Sequence, residues 1–207
     1  MPRTQSRNRT SRNGRRADVV RKTKETEIQV SVNVDGTGKT DVDTGVPFLN
    51  HMLDSFGRHG FFDLTVKARG DLEVDQHHTV EDVGLTLGQA LREALGDKMG
   101  IRRFGDAACP LDEALVNVVV DISGRPFLAY NVTIRQARIG RFDTELVHDF
   151  LLALTNQLGM NCHVNLVQGR NPHHIIEACF KALARAMDDA TRIDPRVTGV
   201  LSTKGTL

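Results

Sequence analysis

The sequence predicts an α+β protein with an internal duplication: two β-β-α-β-α half-domains, each a small sheet with helices packed on one face. Three observations favour this fold class. Stretches of strand length with alternating apolar and polar residues occur in both halves, and each half also has two amphipathic helical stretches. These stretches follow one another in the same order twice. Several histidines and glutamates recur 96 or 97 residues apart, which indicates a duplication rather than a chance likeness.

The first half supplies two strands, a helix, a strand and a second helix. Residues 26–45 alternate around Asp-Gly-Thr-Gly, which is typical of a β-hairpin. Helical spacing of apolar residues predicts a helix over 46–60, and residues 62–74 read as a strand. The second helix is predicted over 78–98. Its apolar face comprises Val80, Val83, Leu87, Ala90, Leu91 and Ala94.

The second half repeats this order. Residues 113–134 read as two strands around Ser-Gly-Arg-Pro, 144–159 as a helix, 160–170 as a strand and 174–191 as a long amphipathic helix. We therefore predict one catalytic domain over 18–207. It consists of repeats at about 18–105 and 106–200, followed by a short C-terminal tail.

Composition excludes several classes of function. Residues 1–17 contain six arginines and no acidic residue, and we predict that they form a disordered basic tail. The remainder has more acidic than basic residues, which argues against nucleic-acid binding by the folded part. No apolar stretch approaches the ~20 residues of a membrane helix. Three isolated cysteines favour a reducing, cytoplasmic location; they are Cys109, Cys162 and Cys179.

Two copies of an HHxxE pattern are the strongest chemical signal. They are "HHTVED" at 77–82 and "HHIIEA" at 173–178, each at the predicted start of a helix. Residues i and i+4 of a helix share a face, so His77 and Glu81 can bind one metal ion. Adjacent helical residues diverge by about 100°, so the second histidine of each pair points elsewhere. One motif can thus contribute to two metals.

The repeat divides the ligands into two equal sets. A third matched pair, His51 and His148, brings the total to six histidines and two glutamates. One predicted set is His77, Glu81, His148 and His174. The other predicted set is His51, His78, His173 and Glu177. Imidazole-rich sites with one carboxylate suit Zn, Fe, Ni, Co or Mn, and the lack of a thiolate argues against a closed structural zinc site.

Further charged residues lie in segments between the predicted elements. Glu25 stands in "RKTKET" before the first predicted strand, and its spacing alone favours a solvated strand edge. "GIRRFGDA" and "SGRPF" place arginines beside glycines in predicted loops, where a bidentate contact to phosphate is feasible. "STKG" adds a serine and a lysine near the C-terminus, and Lys181 follows Glu177 by one helical turn.

These segments together resemble a known family. "GVPFLNHMLDSFGRHG", "HHTVED", "GIRRFG", "SGRP", "HHIIEACFKALARA" and "STKG" are similar to successive signatures of the imidazoleglycerol-phosphate dehydratases, over roughly residues 20–207. The resemblance implies a hydro-lyase of histidine biosynthesis. It would dehydrate imidazole glycerol phosphate to imidazole acetol phosphate through a metal-stabilised imidazolate. It also implies two Mn²⁺ per active site, and a homo-oligomer of 24 subunits with the sites at subunit interfaces.

The resemblance also implies roles for single residues. Glu25 would be the catalytic acid/base, and Lys181 a substrate contact. The phosphate contacts would be Arg103, Arg125, Ser202 and Lys204, so that the C-terminal tail binds substrate. The eight predicted ligands match the family's metal ligands.

Two other readings stay open from the residues alone. A dinuclear metallohydrolase would need a bridging carboxylate and metals about 3.5–4 Å apart, and no Asp-rich motif accompanies these histidines. A non-enzymatic binding protein would use the basic tail to contact RNA or an acidic partner.

Overall fold

The computed structural model describes residues 14–207, and the duplication is visible in its element order. The first half contains β1 (Arg16–Lys22), β2 (Thr26–Asn33), β3 (Thr40–Asp43), α1 (Pro47–His59), β4 (Asp63–Gly70) and α2 (His77–Leu95). The second half contains β5 (Phe104–Leu111), β6 (Ala114–Asp121), β7 (Phe127–Asn131), β8 (Arg138–Ile139), β9 (Phe142–Asp143), α3 (Leu146–Leu158), β10 (Asn161–Gln168) and α4 (Pro172–Thr191).

Each half forms a four-stranded sheet, and the predicted α+β class is confirmed. The strand orders are β1-β2-β4-β3 and β5-β6-β10-β7, so equivalent strands take equivalent places. The first half has one strand more than predicted before its first helix, β1, and the second half has three more, β5 and the short strands β8 and β9. β1 was missed because charged residues occupy many of its positions, and β5 because half of it is Gly, Ala and Pro, which are uncommon in strands. In β1 only Val19 is buried, so the apolar alternation that marks a half-buried strand is weak.

The predicted hairpin over 26–45 is wrong. β2 and β3 do not pair with each other, because β4 lies between them. β4 pairs antiparallel with β2 and parallel with β3, with Val66 opposite both Val30 and Val42. The Asp-Gly-Thr-Gly segment therefore connects two strands that are not neighbours in the sheet. The strand between them, β4, comes later in the sequence. The same arrangement recurs in the second half, where β10 separates β6 from β7.

The four helices lie between the two sheets and pair across the halves. α2 packs on β1 and β2, and α4 packs on β5 and β6. On their other sides α2 contacts α3, and α1 contacts α4. The six residues predicted as the apolar face of α2 are all buried, which confirms that face. Phe150 of α3 and Phe180 of α4 also meet in this layer, with ring centroids 5.3 Å apart.

The β8–β9 ribbon explains why the repeat spacing is not constant. Equivalent strand starts are 88 residues apart at Thr26 and Ala114, but 98 apart at Asp63 and Asn161. The ribbon lies between β7 and α3 and has no counterpart in the first half.

The predicted basic tail extended too far. Of its 17 residues, those before Gly14 lie outside the described part of the chain. Arg16 and Ala17 already belong to β1, where they pair with Asn33 and Val32. Backbone pairing along a sheet edge orders them despite their polar surroundings.

Candidate metal centre

Three of the predicted ligands meet where α1 packs on α4. His51, His173 and Glu177 each offer a ligand atom, and these atoms lie within 4.8 Å of one another. The Nε2 atoms of His51 and His173 lie 3.3 and 3.2 Å from the same oxygen, Glu177 Oε2. Two imidazoles and a carboxylate thus face a common point. Between residues 14 and 207 no other group of three such side chains is this tight.

Glu177 is held as an anion by its surroundings. Its side chain is only 14% exposed, and its second oxygen, Oε1, accepts a hydrogen bond from Lys181 Nζ at 2.7 Å. Burial tends to raise the pKa of Glu177, but the bond from Lys181, helped by His51, lowers it overall. The carboxylate is therefore charged at neutral pH, as a metal ligand must be. Lys181 belongs to this cluster and not to the cations described below.

The repeat-related cluster is more open. His77 Nε2 lies 3.4 Å from Glu81 Oε2, one turn away on α2. Asp149 of α3 stands between two rings, with one oxygen 3.4 Å from His77 Nδ1 and the other 3.3 Å from His148 Nδ1. The contact of α2 with α3 thus brings His77, Glu81 and His148 together, although less tightly than their counterparts.

Both HHxxE motifs begin a helix in the same way. The side-chain oxygen of Asp75 accepts the His77 backbone N–H at 2.7 Å, and that of Asn171 accepts the His173 N–H at 3.0 Å. Such short polar side chains satisfy helix N–H groups that have no partner within the helix. They determine where each helix starts, and hence which way each histidine points.

The second histidine of each motif diverges from the first. The ring planes within each pair are inclined by 78° and 81°. His78 Nδ1 lies 3.0 Å from Asp71 Oδ2, and His174 Nδ1 lies 2.8 Å from Glu113 Oε2. These carboxylates raise the pKa of both imidazoles. Neither His78 nor His174 joins the cluster to which the sequence assigned it. One chain gathers three residues of the His51 set around one point, and it links His77 to Glu81 directly and to His148 through Asp149.

Glu25 lies in the turn between β1 and β2, beside the second-histidine site of the first repeat. Its carboxylate is 56% exposed and lies 3.9 Å from His78 Nδ1. Its backbone carbonyl accepts the Asp71 N–H at 3.1 Å, which holds the turn against the end of β4. The turn is therefore tied down while the carboxylate itself is free to meet another group.

The predicted phosphate contacts gather at one end of the second sheet. The guanidinium of Arg103 donates to both oxygens of Asp121, at 2.6 and 3.0 Å, and to the carbonyl of Leu201 at 2.8 Å. The last bond ties down the segment that carries Ser202 and Lys204. The chain end at Leu207 lies against the turn at Gly124, next to the exposed Arg125. Arg103 lies directly before the first residue of β5, Phe104, rather than in a free loop.

Sequence reasoning missed three carboxylates next to the predicted ligands: Asp71, Asp149 and Glu113. No local sequence motif identifies any of the three. The repeat spacing does point to Glu113, because it lies 88 residues after Glu25, the same spacing as between the starts of β2 and β6. Asp149 directly follows His148 but becomes notable only when α3 meets α2.

The donor set fits a divalent transition metal. Imidazole and carboxylate ligands without thiolate match manganese, iron, cobalt, nickel or zinc. The three cysteines are buried and none of them joins the cluster found among residues 14–207, and burial raises the pKa of Cys162 and Cys179 to about 12. No thiolate competes as a ligand there.

Comparison with known proteins adds a family. A family model described as imidazoleglycerol-phosphate dehydratase matches residues 44–187. The proteins of that name from Geobacter metallireducens and Geobacter sulfurreducens are 60% and 59% identical over 193 residues, which cover 93% of this chain and 99% of each relative. Within residues 14–207, no helix has the length and apolar character needed to span a membrane.

Two solved structures are similar over most of this chain. The dehydratase from Staphylococcus aureus has a TM-score of 0.79 at 39% identity, covering 86% of this chain and 99% of that one. The structure of IGPD from Pyrococcus furiosus has a TM-score of 0.80 at 40% identity, covering 91% and 100%. The fold and the sequence are thus both similar to imidazoleglycerol-phosphate dehydratases.

Proposed function

The chain belongs to the imidazoleglycerol-phosphate dehydratase family, and from this premise we propose how its residues carry out the dehydration. The family and its close relatives make it a hydro-lyase of histidine biosynthesis that acts on imidazole glycerol phosphate. The dinuclear metallohydrolase reading is not favoured, because the relatives that span nearly the whole chain are all dehydratases.

The metal ligands are the six histidines and two glutamates of the two repeats, which would hold two manganese ions per active site. The single observation that carries this proposal is the cluster of His51, His173 and Glu177 around one point. Divalent ions bound there supply Lewis-acid stabilisation of negative charge on the substrate's imidazole ring. Lys181 keeps Glu177 ionised and oriented for binding.

Glu25 is the catalytic base of this proposal. Electron density from the imidazole ring expels hydroxide from the carbon attached to the ring. Glu25 then takes the proton from the neighbouring carbon, and the resulting enol relaxes to the ketone of imidazole acetol phosphate. The exposure of this carboxylate supports the role, since it is 56% exposed and its contact with His78 is a long one of 3.9 Å, so it can reach a bound substrate.

Arg103, Arg125, Ser202 and Lys204 bind the phosphate of the substrate. Arg103 is already oriented by Asp121 and in turn holds Leu201, so the C-terminal segment is positioned before substrate arrives. Fixing the phosphate also fixes the distance between the imidazole ring and the carbon that loses its proton.

The active enzyme is a cytoplasmic homo-oligomer of 24 subunits, with each site shared between subunits. The divergence of His78 and His174 from the clusters of their own chain supports the sharing. A second copy would then supply the fourth ligand of each set. The substrate is the only other partner that the site requires.

An assay on metal-stripped protein tests the function. Manganese should restore dehydration of imidazole glycerol phosphate to the wild-type protein, and no divalent metal should restore it to Glu25→Gln. Titration of Mn²⁺ should show unchanged binding by Glu25→Gln. Near-normal turnover by that variant would refute the base, and an inactive wild type with every divalent metal would refute the enzyme.

A further inference from the structure

The two repeats place a glutamate at the same position but in different surroundings. Glu25 precedes β2 by one residue, as Glu113 precedes β6. The Glu25 side chain is 56% exposed, whereas that of Glu113 is 28% exposed and fully engaged in hydrogen bonds. A duplicated unit has therefore produced two glutamates with different tasks.

Glu113 connects the β5–β6 turn to the start of α4. Its Oε1 accepts the backbone N–H groups of Arg170 and Asn171, at 3.1 and 2.7 Å. Its Oε2 lies 2.8 Å from Nδ1 of His174. Both oxygens of Glu113 therefore act as acceptors, which places the proton of His174 on Nδ1 and leaves Nε2 without one.

In the first repeat a different residue contacts Nδ1 of the second histidine. Asp71, just after β4, lies 3.0 Å from Nδ1 of His78. In the sheet register Glu27 pairs with Arg69, and its counterpart Leu115 pairs with Gln168 after a bulge in β10, so the counterpart of Asp71 is Arg170, which has no acceptor in its side chain. The second repeat therefore needs its glutamate to hold the histidine. The first repeat does not, because Asp71 does so.

We propose that Asp71 and Glu113 are positioning residues, which hold His78 and His174 with Nε2 presented to a metal, and that Asp71 thereby releases Glu25 for proton transfer. This rests on the proposed metal function. Carboxylates that accept the distal N–H of a metal-bound histidine orient its ring and raise its basicity. This difference between the repeats also explains why Glu25 is available for proton transfer whereas Glu113 is not.

Glu113→Gln and Asp71→Asn test the proposal against the controls Asp106→Asn and Glu73→Gln. Asp106 in β5 and Glu73 after β4 are both exposed. Mn²⁺ binding by the metal-stripped assembled proteins is followed by the EPR signal of free Mn²⁺. Each test variant should weaken one of the two classes of site about 10–100-fold, since His174 and His78 belong to different sets. The double variant should weaken both, and the controls should weaken neither.

Turnover separates positioning from catalysis. At saturating Mn²⁺, Glu113→Gln and Asp71→Asn should regain most of their activity, whereas Glu25→Gln should not. Thermal unfolding of the metal-free proteins checks for a purely structural effect. Asp71→Asn leaves the N-terminus of α4 untouched, so it remains informative if Glu113→Gln unfolds.

Failure of the positioning role can be distinguished from failure of the proposed metal function. If the wild type binds Mn²⁺ and both test variants bind it as tightly as their controls, the positioning role is overturned and the metal function stands. If the wild type binds no Mn²⁺, the metal part of the proposed function fails first.

Discussion

At the scale of single residues, Asp63 shows how one carboxylate directs the chain. It begins β4, and its Oδ1 accepts the backbone N–H groups of Thr37 at 2.8 Å and Lys39 at 3.1 Å. Its other oxygen lies 3.4 Å from the amide of Asn33. These bonds hold the segment that replaces the predicted hairpin turn. They keep β3 on the far side of β4.

The bonds to Thr37 and Lys39 lower the pKa of Asp63, and this gives a pH-dependent prediction. Because the folded pKa lies below the ordinary value, the charge stabilises the fold above about pH 4 and ceases to do so as pH falls through the folded pKa. Asp63→Asn should lower the free energy of unfolding by about 1 kcal/mol at pH 7. The difference from wild type should shrink toward pH 2. Urea unfolding of metal-free protein at both pH values measures it, and a difference independent of pH would contradict the charge argument.

At the scale of elements, the contact of α2 with α3 depends on two glycines. A Cβ on Gly84 would lie 2.7 Å from the Phe150 carbonyl oxygen, and one on Gly88 would lie 2.6 Å from that of Leu154. Both distances are shorter than side-chain contacts allow, and both obstacles are backbone atoms. The glycines therefore permit the close approach that brings His77 and Glu81 beside His148.

Gly88→Ala should destabilise the protein although alanine favours helices. The gain in helix propensity is up to about 1 kcal/mol, whereas overpacking a helix contact costs about 1–3 kcal/mol. The variant should also bind Mn²⁺ more weakly at the His77 cluster, because α2 must move away from α3. Glu93→Ala, on the exposed face of the same helix, is the matched control. Equal stability and metal binding in both variants would show that the contact tolerates a methyl group.

At the scale of the whole molecule, one chain supplies only part of each proposed site. His51, His173 and Glu177 meet, but their assigned partner His78 is held by Asp71 instead. The same holds for His174, which Glu113 holds away from the His77 cluster. Moving either histidine into the cluster of its own chain would break these bonds. In the proposed shared sites, a second copy of the chain would complete the sets without that cost.

Mixing two inactive variants tests the sharing of sites. His51→Asn and His78→Asn should each abolish dehydration. Co-assembled from dissociated, metal-free subunits, they should recover part of the activity, because some sites then combine an intact His51 cluster with an intact His78. A mixture of His51→Asn with His173→Asn is the control, since these residues belong to one cluster of one chain. Recovery in neither mixture would place every ligand of a site on a single chain. Recovery in the control would show that His51 and His173 of one site come from different chains.

Much of the fold could be predicted because it depends on local patterns. The four helices appear within a few residues of their predicted ends, since their apolar residues recur at helical spacing. β1 was missed because its charged residues mask the alternation of a strand, and β5 because Gly, Ala and Pro fill half of it. The hairpin prediction failed because β3 pairs with β4 rather than β2. The turn sequence carries no information about β4, which begins 25 residues after Gly38, at Asp63.

The sequence by itself determined the duplication, the family and the types of residue available as ligands, because repeat spacing and i, i+4 geometry are local properties of the chain. Only the tertiary structure decided which of them meet. The pairing of α1 with α4 and of α2 with α3 crosses the two halves, and burial of apolar helix faces between the sheets drives it. That packing gathers His51 with Glu177. It also places His78 against Asp71 and His174 against Glu113, two carboxylates that no local sequence pattern identifies.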